Sequence, residues 1–342
     1  MIEELLKLKH AAPSRNTNYL FIPVTNFDMT EEGAKEFNRF YLWLKSLDLK
    51  KIQRTPSGGI KKGKKVRGSA WDCTVKRNSV ELTILLPYGS WRLQIRSKLP
   101  DSMSGRKAFT AFKRFLKKRK IDLDDYAIDD GEKVKTRIEK PLILVRYESL
   151  VDVVLEGVNH IDFHSSYAGG LANTHPEFRE VLEELYAKRE KKEIYKNILN
   201  FSIGFMQSKS CCYARWAHLS KDAIKDNNER VKKLAEILEK KGRIVLLFNT
   251  DGIWYKGAPY HGEGEGDGLG QWHNDHVRCK FRMKSAGAYE FIEDGIYTPI
   301  VRGVSLEKRE GWQWGDIYTE KAEPDILVFD EERGVLFNGK VV

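Results

Sequence analysis

The sequence predicts an α+β protein of about two domains, and three observations carry that reading. The chain is 342 residues long, room for two cores at roughly 150 residues each. Its 41% apolar and 11% aromatic content sets it apart from disordered basic chains. Alternating apolar runs and runs at helical spacing both occur, in separate stretches.

Taken in order, residues 17–26 read as a strand, and 30–47 as a helix opened by Thr30 with Glu31 and Glu32 in its first turn. The stretch 50–69 carries Gly58, Gly59, Gly63 and Gly68, which is loop chemistry. Strands follow at 70–76 and 79–97, where Val80, Leu82, Ile84 and Leu86 alternate with other residues and Pro87-Tyr88-Gly89-Ser90 forms a turn. Residues 105–119 put Phe109, Phe112, Phe115 and Leu116 on one helical face and bases on the other. An acidic segment at 121–133 marks the expected domain boundary.

Beyond it come a strand at 141–146, the apolar stretch 149–158 and a short strand His160-Ile161-Asp162-Phe163. Thr174 and Glu177 fit a capping box, which predicts a helix over 174–187. A second helix is predicted at 193–207, and a third runs from Ser220 to Lys241 and stops at Gly242. The strand Arg243–Asn249 then meets Thr250-Asp251-Gly252 and reverses into Ile253-Trp254-Tyr255, a strong hairpin signal.

Charge narrows the function. Lys and Arg number 59 against 49 Asp and Glu, a net charge of +10. Eight bases fall in 49–71 and eight in 102–121, neither stretch holding an acid, and without these sixteen the rest of the chain is net negative. Two concentrated patches favour a polyanionic partner through counterion release. For the helix 105–119, with Lys113, Arg114, Lys117 and Lys118, an ordinary solvated face is an equal alternative. No run of eighteen apolar residues exists, so no membrane span is expected. The N-terminus lacks the order of a secretory signal, and Cys73, Cys211, Cys212 and Cys279 form no CxxC pair. Reduced thiols in a cytoplasmic protein follow.

Asp162 at a strand end and Asp251 at a hairpin tip are each, taken alone, ordinary turn formers. Between them lies a helical hairpin carrying Lys188, Arg189, Lys191, Lys192 and Lys196. Two carboxylates for a pair of Mg²⁺ ions and a cationic helix for a triphosphate are what nucleotidyl transfer by the two-metal route requires. His261, His273 and His276 flank the glycine-rich run 261–270, either as a metal site or as part of an acidic surface loop. Cys211-Cys212 reads as structural, and Trp312 and Trp314 as core or as a surface that touches a duplex.

These residues resemble family B DNA polymerases, in particular the protein-primed subgroup of phages and linear plasmids. Asp162-Phe-His-Ser-Ser-Tyr167 is similar to that family's first motif, Lys196, Asn200 and Gly204 to its second, and Asn249-Thr250-Asp251-Gly252 to its Asp-Thr-Asp-Ser hairpin. Leu269-Gly270-Gln271-Trp272 and the run from Lys284 to Tyr289 resemble its post-palm region, so the likeness spans about 140–330. It implies a palm with helical-hairpin fingers at about 176–207 within 136–296, a small thumb at 297–342, and a basic α+β domain at 1–135. It also implies metal ligation by Asp162, Asp251 and the Phe163 carbonyl, with two Mg²⁺ ions for which Mn²⁺ can substitute. Tyr167 is then the wall against a 2′-hydroxyl, Lys196 the triphosphate ligand assisted by Arg189 or Lys192, and Asn200 part of the lining of the nascent base pair. Lys280, Lys284 and Tyr289 are assigned to DNA.

The departures are specific. Asn249 stands where the family has Asp, Gly252 where it has Ser, Ile203 where it has Tyr, and Gly287 where it has Lys. The lone N-terminal Asp-x-Glu, Asp130-Gly-Glu132, follows no strand, and only 28 residues separate Tyr167 from Lys196. The expectation is therefore a reduced polymerase without a 3′–5′ exonuclease or terminal-protein insertions. Its expected partners are primer-template DNA, dNTPs and replication accessory proteins, with the chain a monomer. Two readings stay open beside it: a primase or a gap-filling or translesion nucleotidyltransferase on the same palm, and a catalytically inactive nucleic-acid-binding subunit.

Overall fold

The computed structural model describes residues 25–46, 50–51, 70–76, 79–86, 89–96, 105–128, 139–189, 192–207, 214–330 and 332–342. Residues 17–24 of the strand expected over 17–26, the bases at 52–69, Asp130, Glu132, Cys211 and Cys212 lie outside them. The chain divides into two compact units, residues 1–101 with 324–342, and residues 102–323.

In the first unit a sheet runs in the order β1-β5-β4-β3-β2, from strands Thr25–Asp28 (β1), Lys50–Lys51 (β2), Ala70–Lys76 (β3), Ser79–Leu86 (β4) and Gly89–Arg96 (β5). Helix α1, Glu31–Lys45, starts where the Thr30 side chain accepts from the Gly33 amide, 3.1 Å away. It buries Ala34, Phe37, Phe40 and Leu44 against Val80, Leu82, Leu93 and Ile95. The C-terminal strands Leu327–Asp330 (β13), Gly334–Phe337 (β14) and Lys340–Val341 (β15) join this core through Val335. Buried Asn38 on α1 accepts from the Val335 amide at 3.2 Å and donates to the Val342 carbonyl.

Strand β6 (Leu142–Val145) opens the seven-stranded antiparallel sheet of the second unit, whose order is β12-β11-β10-β7-β9-β8-β6. The others are Leu155–Phe163 (β7), Ile244–Thr250 (β8), Gly252–Lys256 (β9), Trp272–Ser285 (β10), Ala288–Glu293 (β11) and Ile296–Val301 (β12). Five helices accompany it: Gly105–Lys118 (α2), Ser166–Thr174 (α3), Arg179–Lys188 (α4), Glu193–Met206 (α5) and Ala217–Lys240 (α6). Phe109, Phe112 and Leu116 of α2 are buried in one core with Leu182, Leu185, Ile198 and Ile203, each large apolar side chain contributing about 2 kcal/mol.

That packing, together with buried Leu123, places 105–128 inside the second unit, so the expected division near 135 does not coincide with the compact units. Residues 324–342 likewise belong with the first unit and not with 297–323. Two helix starts also differ. Thr174 ends α3, its hydroxyl donating to the Gly170 carbonyl at 2.9 Å, and Pro176 begins the next turn instead. Ser220 is buried one turn inside α6 and caps nothing.

Candidate active site

The site is built where β7 ends and where β8 turns into β9. Asp162 on β7 lies opposite Gly252, and Gly252 lies opposite Asn249 on β8. Thr250 and Asp251 thus form a two-residue turn beside the end of β7. Thr250 takes a φ of +65°, a costly conformation for a β-branched residue. Its carbonyl accepts from Asn227 of α6 at 3.1 Å, and its hydroxyl lies 2.5 Å from an Asp251 carboxylate oxygen. Asn227 is itself gripped by the Ser166 hydroxyl at the start of α3. The Ser166–Asn227 pair thus holds the strained turn that carries Asp251.

Burial pushes the Asp162 carboxyl up to about 8, and the neighbouring charges of Asp251 and Asp275 push in the same direction. Burial raises Asp251 as well, opposed by the Thr250 hydroxyl. Two half-buried carboxylates raised together are short of positive charge. The charge of Arg189 lowers Asp162, and that of Arg230 lowers Asp251. The Arg189 guanidinium donates to the Ser165 hydroxyl at 2.9 Å and lies 3.9 Å over the Tyr186 ring.

Behind these residues Arg230 of α6 ties three segments together. It pairs with Asp226 at 2.7 Å and donates to the carbonyls of Gly270 and Ser166 at 2.8 and 2.9 Å. Gly169 and Gly170 allow this closeness. A Cβ on Gly169 would stand 2.5 Å from the Gly270 Cα, and one on Gly170 2.3 Å from the Ala223 carbonyl oxygen.

The residues expected from sequence divide into groups. Asp162, Asp251 and Arg189 are brought together, and half-buried Tyr167, on the first turn of α3, feels the charges of Asp251 and Arg302. The Phe163 ring is buried, with the Arg230 guanidinium 5.2 Å from its centre. Lys196 and Asn200 are exposed four residues apart on α5, which sets them on one helical face, and exposed Lys192 precedes the helix as its extended N-cap residue.

The residues assigned to DNA are less uniform. Tyr289 is a buried core residue whose hydroxyl accepts from the Asn249 side chain at 3.1 Å. Lys280 stands 4.8 Å over the Trp314 ring and Lys284 5.9 Å over Tyr318. On α2, Arg114, Lys117 and Lys118 are exposed, whereas Lys113 pairs with Asp124 at 2.8 Å and lies 4.9 Å over Trp216.

Sequence reasoning passed over several neighbours. Arg230 and Asn227 carry no motif. Of the histidines grouped as His261, His273 and His276, His261 is exposed and pairs with Glu265 at 2.9 Å, while His273 stacks on His164 at 4.0 Å and lies 3.7 Å from Asp275. His276 instead joins His160 and Asp275. Only strand register could have revealed this, since β7 and β10 place His276 opposite His160.

No protein-family model matches the sequence, and no curated protein does. Solved structures do match. Phi29 DNA polymerase in complex with primer-template DNA and incoming nucleotides superposes with a TM-score of 0.57 at 8% identity, over 90% of this chain and 88% of that one. The same polymerase with primer-template DNA alone gives 0.56 at 8% identity, over 89% and 88%. Among the described residues no helix is long and apolar enough to cross a membrane. The shared feature is the architecture: this chain has a fold similar to that of phi29 DNA polymerase.

Proposed function

We propose that the chain is a DNA-directed DNA polymerase that adds dNMPs to a primer 3′-hydroxyl and lacks proofreading. The observation that carries the reading is the pair Asp162 and Asp251, half-buried at adjacent strand ends with both carboxyls raised and the charge of Asp251 felt by Asp162. Their hard oxygen donors and unbalanced negative charge suit Mg²⁺ or Mn²⁺. Asp162, Asp251 and the Phe163 carbonyl would hold the two ions, which when bound supply charge neutralisation and an activated 3′-oxygen.

The chain's own residues do the rest. Arg189, fixed by Ser165 and Tyr186, supplies positive charge on the triphosphate side, with Lys196 on the exposed face of α5 and Lys192 just before that helix adding point charges. Asn200 lies on the same face, as a group for the nascent base pair. Tyr167 presents a flat aromatic edge beside the carboxylates, suited to reject a 2′-hydroxyl. Arg114, Lys117 and Lys118 give α2 a cationic face for the DNA backbone, and Lys280 and Lys284 add charge from β10. For Tyr289 the role shifts from touching DNA to holding Asn249.

The proposal treats the chain as a cytoplasmic monomer working with replication accessory proteins.

The test is primer extension with four dNTPs and Mg²⁺, beside Asp162→Asn and Asp251→Asn. Extension by the wild type and a loss of at least 10³-fold in both variants is expected. Equal behaviour of all three proteins sinks the reading, and synthesis on unprimed template makes the enzyme a primase.

A further inference from the structure

A second cluster lies behind the hairpin that carries Asp251, and its donors differ from those of the carboxylate pair. His160 on β7 faces Asp275 and His276 on β10, and their ligand atoms lie within 4.8 Å of one another. The Asp275 Oδ2 oxygen is central, 3.1 Å from His160 Nδ1 and 3.3 Å from His276 Nε2. Ligands at 2.0–2.1 Å around a tetrahedral ion are separated by about 3.4 Å. Two of the three edges already have nearly that length.

A further carboxylate orients the cluster. Glu293 on β11 accepts from His276 Nδ1 at 2.6 Å, and its other oxygen accepts from the Val277 amide at 2.7 Å. With Nδ1–H given to Glu293, a neutral His276 points the Nε2 lone pair at an Asp275 oxygen that is also an acceptor. Two acceptors 3.3 Å apart are satisfied by a proton or by a metal ion between them. A carboxylate that fixes the tautomer of a ligating histidine is the usual outer partner of a metal-bound imidazole. The rings are held as well: His160 stacks on Trp254 at 4.5 Å, and a Cβ on Gly252 would stand 2.3 Å from His160 Nε2.

We propose that His160 Nδ1, Asp275 Oδ2 and His276 Nε2 form a binding site for one divalent transition-metal ion of the Zn²⁺ class, with Glu293 as its outer carboxylate. Two imidazoles and one carboxylate select such an ion over Mg²⁺, which prefers oxygen donors. The ion clasps β7 to β10 beside the β8–β9 turn. This site does not depend on the polymerase reading.

The probe is Co²⁺, titrated into the full-length protein in excess Mg²⁺ and followed by visible absorption. Intense bands of four- or five-coordinate Co²⁺ saturating at one ion per chain, and bleached by Zn²⁺, are expected. His160→Ala and His276→Ala lose the bands, Glu293→Gln weakens binding 10- to 100-fold, and Asp162→Asn and Asp251→Asn keep it. Circular dichroism checks folding. If the alanine variants do not fold, Glu293→Gln and a Zn²⁺-induced rise in the wild-type melting temperature decide instead. Absence of the bands in the wild type, or their survival in the histidine variants, overturns the proposal. So does their loss in the two Asp→Asn variants, which would place the ion on the carboxylate pair.

Discussion

The Nε2 atom of His160 occupies the space that a Cβ on Gly252 would need, 2.3 Å from its ideal position. The glycine that replaces the serine of the resembled hairpin motif is therefore matched to a histidine ninety-two positions earlier. Restoring serine should damage this chain, not improve it. Gly252→Ser is expected to cut primer extension at least tenfold, while His160→Ala with Gly252→Ser recovers most of the loss. A double-mutant cycle measures the coupling, and additive effects would show that the two positions act separately.

Stability should depend on pH through the carboxylate pair. A carboxyl raised to about 8 in the folded protein, against about 3.9 unfolded, binds more protons when folded between those values. The metal-free protein is therefore expected to lose stability as pH rises from about 4 through 8. Asp162→Asn removes that loss, on the order of a few kcal/mol at pH 7.5. Thermal melts in chelator should show the variant more stable at pH 7.5 and equal to wild type near pH 4.

Arg230 is a structural keystone. Arg230→Met leaves the Gly270 and Ser166 carbonyls and the Asp226 carboxylate without their shared donor. A cost of about 3 kcal/mol is expected, read as a fall of roughly 6–12 °C in melting temperature.

The cationic face of α2 can be separated from its core. Arg114→Glu and Lys117→Glu should weaken DNA binding across all sequences, each lowering the salt slope by about 1. Lys113→Glu should instead destabilise the fold, because Lys113 pairs with Asp124 and covers Trp216. Fluorescence anisotropy at several salt concentrations, beside thermal melts, distinguishes the two effects.

Much of this arrangement is legible in the sequence where its cause is local. The alternation in β4, the apolar face of α2 and the hairpin at Asp251 all follow from neighbours a few residues apart, though its two turn residues are Thr250 and Asp251, and Gly252 already pairs in the strand. Thr174 misleads because a capping box is also local, whereas Pro176 turns His175 away from helical backbone and ends α3 there. Ser220 misleads for the same reason, since α6 has already begun at Ala217 and buries it. The His160, Asp275 and His276 cluster is invisible to any spacing rule, because its members meet only through the β7–β10 register across 115 residues. The compact units escape too, since Asn38 reaches Val335 and Val342 at the far end of the chain.

That last contact sets the order in which the molecule can be completed on the ribosome. The first unit needs β14 to cover α1, and β14 is made about 300 residues after it. Residues 102–323 have by then all been synthesised, so the later-made unit can close first while the earlier one waits with Phe37, Phe40 and Leu44 only partly covered. Truncation by as little as the C-terminal hairpin would therefore be felt not at the carboxylates but at the opposite end of the sequence.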